Sequence, residues 1–274
     1  MPLFHYTSAS SIYSILRSKR LRATDIRYLN DTQELYDGLQ RIAEGLKNPS
    51  HGLFGNDDYR NKSIEYLRSA FSDEVSFGIS EDPLFVLSFS RAEDLLSQWR
   101  AYGCYAIEFN EDLLKDSIPS LRTCTYDSKS KNNDSRARLT QSLIDISNEM
   151  GRTDGAVGDL SLDSVGELIK LAASFKHKGF LEEQEVRMVA HASAFGDRIQ
   201  YFPRDEILIP YVEVEFSMDS IRAIHVGPMS GQELAYTSMQ GFIKKIEKDW
   251  QSDSSNIEYE LLVTKSDLPF RTKL

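Results

Sequence analysis

The sequence contains few cysteines and no metal-binding spacing between them. Of 274 residues only Cys104 and Cys124 are cysteines, and neither lies in a CxxC or Cys/His pattern. Structural zinc sites normally need such closely spaced ligands. We therefore predict no metal site, and we expect both thiols to be reduced and buried.

Long apolar runs and an excess of basic charge are also missing. No stretch is apolar over the roughly 20 residues that cross a bilayer, and the first residues do not resemble a secretion signal. We expect a cytoplasmic protein with no membrane partner. The net charge of −10 disfavours non-specific attraction to phosphates, so no standing duplex DNA partner is expected. A local positive cleft for an anionic ligand is compatible with this charge.

Common catalytic fingerprints are absent as well. The chain has no P-loop, GxGxxG, GxSxG or HExxH motif, which leaves the P-loop, Rossmann, α/β-hydrolase and zincin folds without support. Hydrophobic residues make up 41% of the chain and charged residues 27%, values typical of a globular protein. The function must therefore be sought in less common arrangements of side chains.

Helical and strand-like patterns are interspersed without a regular βα repeat. This order predicts one α+β domain over residues 1–274, with a split, twisted mixed or antiparallel sheet and peripheral helices. Polar residues at 127–135 predict a surface loop. Apolar spacing at 136–150 and 163–175 predicts two helices, so a helical insertion is expected at about 128–178. The predicted strands are 3–6, 85–90, 104–109, 199–202, 207–216, 221–226 and 257–263.

Three charged residues recur at every second position before an apolar run. If residues 180–187 form a strand, Glu183, Glu185 and Arg187 share one face. An arginine at that spacing can hold one carboxylate and leave the other free for a ligand. A half-exposed strand with a solvated charged face explains the pattern equally well.

Polar residues also mark the ends of two other predicted strands. His5, Tyr6 and Thr7 precede a helix whose N-terminal amides favour anionic groups, although a structural histidine is the simpler explanation. Ser88 and Ser90 place two hydroxyls on one face of a strand, and buried hydroxyls require hydrogen-bond partners. Both segments are candidate parts of a polar site.

Two further segments combine aromatic and polar side chains. Tyr28 and Asn30 lie ahead of a helix that Asp31 is placed to cap. Trp99, Arg100 and Tyr102 supply an indole, a guanidinium and a phenol, which suit stacking and contact with an anion. Trp99 fits equally well as a core residue that anchors the connection between two strands.

The combination of these motifs resembles a known family over almost the whole chain. His5-Tyr6-Thr7, Leu29-Asn30-Asp31 with Glu34, Ser88-Phe89-Ser90, the Gln98–Gly103 segment, Phe180 with Glu183, Glu185 and Arg187, and Pro269-Phe270-Arg271 look like the bacterial domain-of-unknown-function family 2971. That family is defined without a reaction.

The order of His, Ser-x-Ser and Glu-x-Glu is also similar, more remotely, to the ADP-ribosyltransferase superfamily. This resemblance implies an ADP-ribosyltransferase-like fold and an NAD-dependent mono-ADP-ribosyltransferase, or an NAD glycohydrolase, of a bacterial defence, toxin or stress type. NAD is the implied substrate and no metal is implied. The implied acceptor is unidentified.

Residue roles follow from the same resemblance. Catalysis is expected from Glu185 or Glu183, with a preference for Glu185, and Arg187 is expected to fix the carboxylate that must not move. His5 is expected to bind the NAD ribose, and Ser88 and Ser90 to support the nicotinamide. The remaining expected NAD-binding residues are Tyr6, Thr7, Tyr28, Asn30, Trp99, Arg100 and Tyr102.

Two non-enzymatic alternatives stay open. The same cleft can belong to a domain that senses a nucleotide or a nucleic-acid end and signals through an accessory protein. The motif residues can also form a buried hydrogen-bond network in a structural interaction domain. A homo-oligomer is compatible with each of these hypotheses.

Overall fold

The computed structural model describes residues 1–29, 32–49, 57–72, 82–118, 120–253 and 260–269. Eight α-helices lie in this part of the chain: α1 (Ala9–Ser18), α2 (Thr32–Gly45), α3 (Asp57–Ala70), α4 (Leu96–Tyr102), α5 (Glu111–Ser117), α6 (Ser128–Arg152), α7 (Asp159–Ala172) and α8 (Gln232–Asp253). The strands of the same part are β1 (Pro2–Thr7), β2 (Arg20–Asp25), β3 (Leu84–Ser90), β4 (Tyr105–Asn110), β5 (Leu121–Thr123), β6 (Glu185–His191), β7 (Gln200–Arg204), β8 (Ile207–Glu215), β9 (Ile221–Val226) and β10 (Leu262–Lys265).

One mixed sheet runs through the molecule in the order β10-β9-β4-β1-β3-β2-β8-β7. β9 and β10 are parallel, whereas the other described pairs are antiparallel. β6 occupies one edge of β3 over seven residues, so β1 and β2 share the other edge of β3. The sheet therefore divides at β3.

The two faces of the sheet are covered by different helices. Helices α1, α5 and α8 pack on one face, where Phe85, Leu87 and Phe89 of β3 point. Helices α2, α3, α6 and α7 cover the other face around Leu84 and Val86. Alternation along β3 explains this division, because successive side chains point to opposite faces. We call the face of Leu84 and Val86 the polar-site face, since Ser88 and Ser90 continue the same row.

The predicted α+β class is confirmed, with a twisted open mixed sheet and several helices. The strand predicted at 221–226 has the observed bounds, and the helix that carries Ile12, Ile15 and Leu16 is α1. Of the closing strand predicted at 257–263, residues 257–259 lie outside the described residues, and the strand seen in the described part is β10 at Leu262–Lys265. The sequence patterns missed β2 and the short β5.

The surface loop predicted at 127–135 was wrong. Ser128 begins the 25-residue helix α6, and the Asp127 side chain caps it by accepting a hydrogen bond from the Ser130 amide at 2.9 Å. Thr125 donates to Asp134 at 3.0 Å, and Lys131 donates to the Lys176 carbonyl at 2.6 Å. These polar residues stabilise a helix through their caps and partners, which composition alone does not reveal.

Neither cysteine forms a disulfide in the part of the chain that the structure describes, as predicted, but only Cys124 is buried. Cys104 is half-buried, which corrects the expectation that both thiols lie in the core. Burial raises the pKa of the Cys104 thiol, so it stays protonated near neutral pH.

Candidate functional site

The strand that carries the charged residues begins later than the sequence pattern implied. Residues Lys178–Glu183 form a 3-10 turn, Gln184 adopts a left-handed conformation at φ 43°, and β6 starts at Glu185. Only Glu185 and Arg187 therefore lie on the strand, and being two residues apart they point to the same face. Glu183 reaches the same cluster from the preceding turn.

A buried network of ions joins these residues. The Arg187 Nε donates to Glu185 Oε1 at 2.7 Å, and its Nη2 donates to Glu185 Oε2 at 3.0 Å. Lys176 Nζ donates to Glu183 at 2.5 Å and also to Glu185. Two carboxylates thus face two cations. We call these four residues, Lys176, Glu183, Glu185 and Arg187, the carboxylate pair cluster.

The cluster lies inside the protein. Glu185 is 5% exposed, Arg187 is 1% exposed and Lys176 is 3% exposed. The interpretation of a solvated charged strand face was therefore wrong. Helix α7 and the segment after it cover this face, and Arg187 Nη1 donates to the Ala173 carbonyl at 2.9 Å. The Glu183 side chain, at 14% exposure, is the more accessible of the two carboxylates.

Electrostatics keep Glu185 ionised. Burial raises the pKa of Glu185, but the charge of Arg187, its hydrogen bonds and the Lys176 ammonium outweigh burial and hold the pKa at about 2. Glu185 is consequently a carboxylate at any physiological pH. Because both of its oxygens are hydrogen-bonded, its orientation is fixed.

Hydrogen bonds between side-chain hydroxyls and the main chain of residues 183 and 185 attach the cluster to its surroundings. Ser90 donates its hydroxyl to the Glu183 carbonyl at 2.5 Å, and Ser90 pairs with Glu185 across β3 and β6. The Glu185 amide donates to the Tyr126 hydroxyl at 2.7 Å. Burial raises the pKa of Tyr126 well above its ordinary value, so this hydroxyl is neutral. Ser88 pairs with Arg187 in the same register.

Tyr6 is linked to this cluster on the polar-site face through Ala92 and Ser90, and Trp99 packs against Tyr6 on the side away from the cluster's four residues. Phe4 pairs with Ser90, so Tyr6 shares the face of Ser90 by strand alternation. The Tyr6 hydroxyl donates to the Ala92 carbonyl at 2.7 Å, and the Ala92 amide donates to Ser90 Oγ at 3.0 Å. Trp99 is 4% exposed, packs edge-on against Tyr6 and donates to Asp94 at 2.8 Å.

His5 and Thr7 do not join this group of side chains. They alternate with Tyr6 along β1 and so lie on the opposite face, where the His5 ring packs against Phe89 at 5.8 Å. Burial lowers the pKa of His5, so the ring is neutral, and its Nδ1 donates to the Ser88 carbonyl at 3.1 Å. The contact of His5 with the candidate site is through the β3 backbone.

The other candidate residues lie at the periphery. Arg100 and Tyr102 are exposed on α4, and Tyr102 is 53% exposed. Tyr28 is half-buried in a 3-10 turn, and its carbonyl accepts a hydrogen bond from Arg204 at 2.8 Å. Asn30, Asp31 and the Phe270-Arg271 pair lie outside the described residues. Glu34, in the first turn of α2, accepts a hydrogen bond from the His177 amide at 2.7 Å. This bond places the start of α2 beside residues 176–183.

Lys176 is the functional candidate that sequence reasoning missed. Lys176 lies outside all the predicted strands, and a lone lysine after a helix is usually solvent-exposed. Its position directly after the apolar Phe175, in the segment that follows α7, was the available signal. An exposed ring, Phe180, lies 5.1 Å from its ammonium and is 45% exposed. Phe180 therefore offers an aromatic surface at the rim of the cluster.

Within the described residues, no group of His, Cys, Asp or Glu side chains has the composition of a metal site. None of the helices seen in those residues has the length and apolar character that a membrane span requires.

Comparison with known proteins identifies one family. Residues 98–188 match the model of the family described as protein of unknown function (DUF2971), and this range includes most of α4, all of α6 and α7, and the carboxylate pair cluster. The resemblance to family 2971 is confirmed over this range. No curated protein and no solved structure matches the chain.

Proposed function

We propose that the chain is an NAD-dependent enzyme that breaks the N-glycosidic bond to nicotinamide, in the manner of an ADP-ribosyltransferase or NAD glycohydrolase. The supporting observation is the carboxylate pair cluster, in which Lys176 holds the more exposed Glu183 while Arg187 and Lys176 keep Glu185 fixed and ionised. Carboxylates held in place in this way stabilise positive charge that develops during a reaction.

The chemistry requires such a group. When the bond from ribose to nicotinamide breaks, positive charge develops on the ribose as an oxocarbenium-like centre. A carboxylate near that centre lowers the energy of the transition state, and it costs no reorganisation if its orientation is already fixed. Neutral nicotinamide leaves with the bonding electron pair. Water or an acceptor nucleophile then attacks the ribose.

The two carboxylates differ in accessibility, and this difference suggests separate roles. Glu185 is held by two cations and is 5% exposed, so we assign it to positioning Lys176. Glu183 has the more exposed side chain and is held at one oxygen by Lys176. We therefore assign the contact with ribose to Glu183, which reverses the preference that the sequence pattern suggested.

Neighbouring groups on the same face support a bound nucleotide. Phe180 presents an exposed ring next to Lys176, and aromatic rings stack on heterocycles such as nicotinamide. Ser90 donates directly to the Glu183 carbonyl, and Tyr6 is connected to Ser90 through Ala92. Arg100, exposed on α4, is the candidate that contributes positive charge toward the pyrophosphate.

Release of nicotinamide from NAD tests this proposal. Purified wild-type chain, with and without cell lysate as a source of acceptor, is compared with Glu183→Gln and Glu185→Gln. The amide isosteres keep the side-chain shape and remove the negative charge. We expect Glu183→Gln to reduce release by roughly 10²-fold or more, because one stabilising charge at a developing ion has about that effect.

Glu182→Gln is the matched control. Glu182 is adjacent to Glu183 and exposed, so its variant should release nicotinamide at the wild-type rate. Equal rates for Glu182→Gln and Glu183→Gln in folded proteins would contradict the role of Glu183. The absence of release from wild type in both conditions would contradict the enzymatic proposal.

A role without chemistry, as a nucleotide-binding domain or a structural network, is the second candidate, and one observation favours it. Glu185 and Arg187 satisfy each other inside the protein, so the cluster is stable without a ligand. This candidate predicts that NAD or another nucleotide raises the melting temperature while no nicotinamide is released. If no nucleotide changes the melting temperature, the cluster is a structural network.

A further inference from the structure

A second reactive arrangement lies away from the carboxylate pair cluster. His225 of β9 contacts a hydroxyl with one ring nitrogen and a carboxylate with the other. Thr264 Oγ1 lies 2.8 Å from His225 Nδ1, and Glu108 Oε2 lies 3.1 Å from His225 Nε2. Because a carboxylate only accepts, Nε2 carries the proton and Nδ1 accepts from the threonine hydroxyl.

Three adjacent strands hold these side chains in register. Thr264 of β10 pairs with His225 of the parallel strand β9. Glu108 of β4 pairs with Ala223, two residues from His225 and on the same face. The Phe4 ring packs edge-on against the imidazole at 5.4 Å. Residues on paired strands hold their relative positions better than residues on loops, so the geometry is fixed before any ligand binds.

All three groups open into a cavity of about 270 Å³. Tyr6 and Trp99 form part of its wall, and Glu93, Asp94 and Asp267 line it as well. The volume admits a compact molecule. A hydroxyl, a base in hydrogen-bond contact with it and a third group that orients the base are the signature of an activated nucleophile.

We propose that Thr264, His225 and Glu108 form a second active site that transfers acyl groups from small carboxylic esters. The Thr264 oxygen attacks the ester carbonyl carbon while its proton passes to His225 Nδ1, and Glu108 stabilises the imidazolium. The bond from carbon to the alcohol oxygen breaks, and His225 gives the proton to that oxygen. Water then attacks the acyl-threonine by the same route, which releases a carboxylic acid and restores Thr264.

The charge of the cavity selects among esters. Glu93, Asp94 and Asp267 line it with Glu108, whereas its lysine, Lys265, forms an ion pair with Glu233 at 2.5 Å. A negative field repels anionic molecules. The substrate class is therefore a neutral or cationic ester with a small acyl group.

Reaction with p-nitrophenyl acetate tests the proposal on the whole chain. We expect a burst of p-nitrophenol and one acetyl group on Thr264 in peptide mass spectrometry. Thr264→Val and His225→Gln should lower the rate by roughly 10²-fold, the effect of general-base catalysis, and Thr264→Ser should retain the reaction. An ester with an anionic acyl group, mono-p-nitrophenyl succinate, should react more slowly than the acetate.

Thr237→Val provides the control, because Thr237 is an exposed threonine on α8 whose hydroxyl donates to the Glu233 carbonyl of the same helix. It should react as wild type does. Circular dichroism establishes that each variant is folded, and Thr264→Ser gives a readout if the valine variant is not. Acetylation at other residues, an unchanged rate in Thr264→Val, or no reaction in wild type would each overturn the proposal.

Discussion

Arg187 is the most buried charged side chain of the candidate site, and its removal should be costly. It is 1% exposed and donates to both oxygens of Glu185 and to the Ala173 carbonyl. Replacement by methionine fills similar space but leaves Glu185 with half of its positive partners. Loss of one partner from a buried ion pair costs about 3–5 kcal/mol. We expect Arg187→Met to lower the free energy of unfolding in urea by that amount.

Arg100→Met is the control for this measurement. Arg100 is exposed on α4, and surface substitutions usually change stability by less than about 0.5 kcal/mol. If the two variants have the same stability, the ion network contributes little, and Glu185 does not depend on Arg187 for its orientation.

The lowered pKa of Glu185 predicts a specific acid sensitivity. The pKa is lowered from 4.5 to about 2 in the folded protein, so the ionised form stabilises the fold above pH 4.5. This contribution is lost progressively as the pH falls from 4.5 toward 2, because the unfolded chain takes up the proton first. In Glu185→Gln the free energy of unfolding should therefore decline less steeply between pH 5 and 3.

Urea unfolding at several pH values between 7 and 3 measures this effect. The pKa of Glu111 is also lowered to about 2, mainly by its hydrogen bonds with Arg91. Glu111 is present in both proteins, so it adds the same decline in the free energy of unfolding to each. The difference between wild type and Glu185→Gln isolates Glu185. Parallel declines in the two proteins would show that Glu185 is not a buried, paired carboxylate.

Some of the site could be predicted from single residues and some could not. Spacing by two correctly placed Glu185 and Arg187 on one face, because β6 begins there. It failed for Glu183, because the left-handed Gln184 separates the turn from the strand. Lys176 was missed since its partners are brought to it by the packing of α7 and β6, which no local pattern encodes.

At the level of elements, the close packing of α2 against α7 depends on Gly38. A Cβ atom at Gly38 would lie 2.7 Å from the Ala172 carbonyl oxygen and 2.9 Å from the Ala172 Cα. Those atoms belong to the backbone and cannot move without shifting α7. We expect Gly38→Ala to destabilise the protein by about 1–3 kcal/mol, the usual cost of overpacking.

Gly241→Ala in α8 supplies the opposite control. Apart from its chain neighbours and the nearby backbone of α8 itself, no heavy atom of the described residues lies within 4 Å of a Cβ at Gly241. Alanine favours the helix by about 1 kcal/mol over glycine, so this variant should be more stable than wild type. Thermal unfolding of both variants checks the pair. A stabilising effect of Gly38→Ala would mean that α2 and α7 are not in contact at this point.

Element boundaries were predicted best where apolar spacing was regular. Strand β9 was predicted with its observed bounds because most of its residues are apolar and buried, whereas β2 was missed, although its burial alternates, because Leu21 and Ala23 are its only apolar residues. The polar start of α6 looked like a loop, since its stability comes from the Asp127 cap and from contacts with distant segments.

At the level of the whole molecule, the two large cores share one sheet and should unfold together. Phe85 and Leu87 of β3 belong to one core, and Leu84 and Val86 belong to the other. Loss of β3 would expose both cores at once. We therefore expect one cooperative transition in which far-ultraviolet circular dichroism and the fluorescence of the buried Trp99 and Trp250 coincide. Two separate midpoints would show that the helices around residues 128–172 unfold on their own.

The general fold class could be read from the sequence because interspersed helices and strands without a βα repeat leave few architectures. The division of the sheet at β3 could not be assigned to particular strands, because β1, β2 and β6 pair with β3 through contacts distant in the chain.

The most direct test of the central claim is the rate of nicotinamide release from NAD by wild type and by Glu183→Gln, with Glu182→Gln as control. Our account predicts release by wild type and by Glu182→Gln, and a loss of roughly 10²-fold or more in Glu183→Gln. Equal release by all three folded proteins, or none by wild type, would contradict the proposed role of the carboxylate pair cluster.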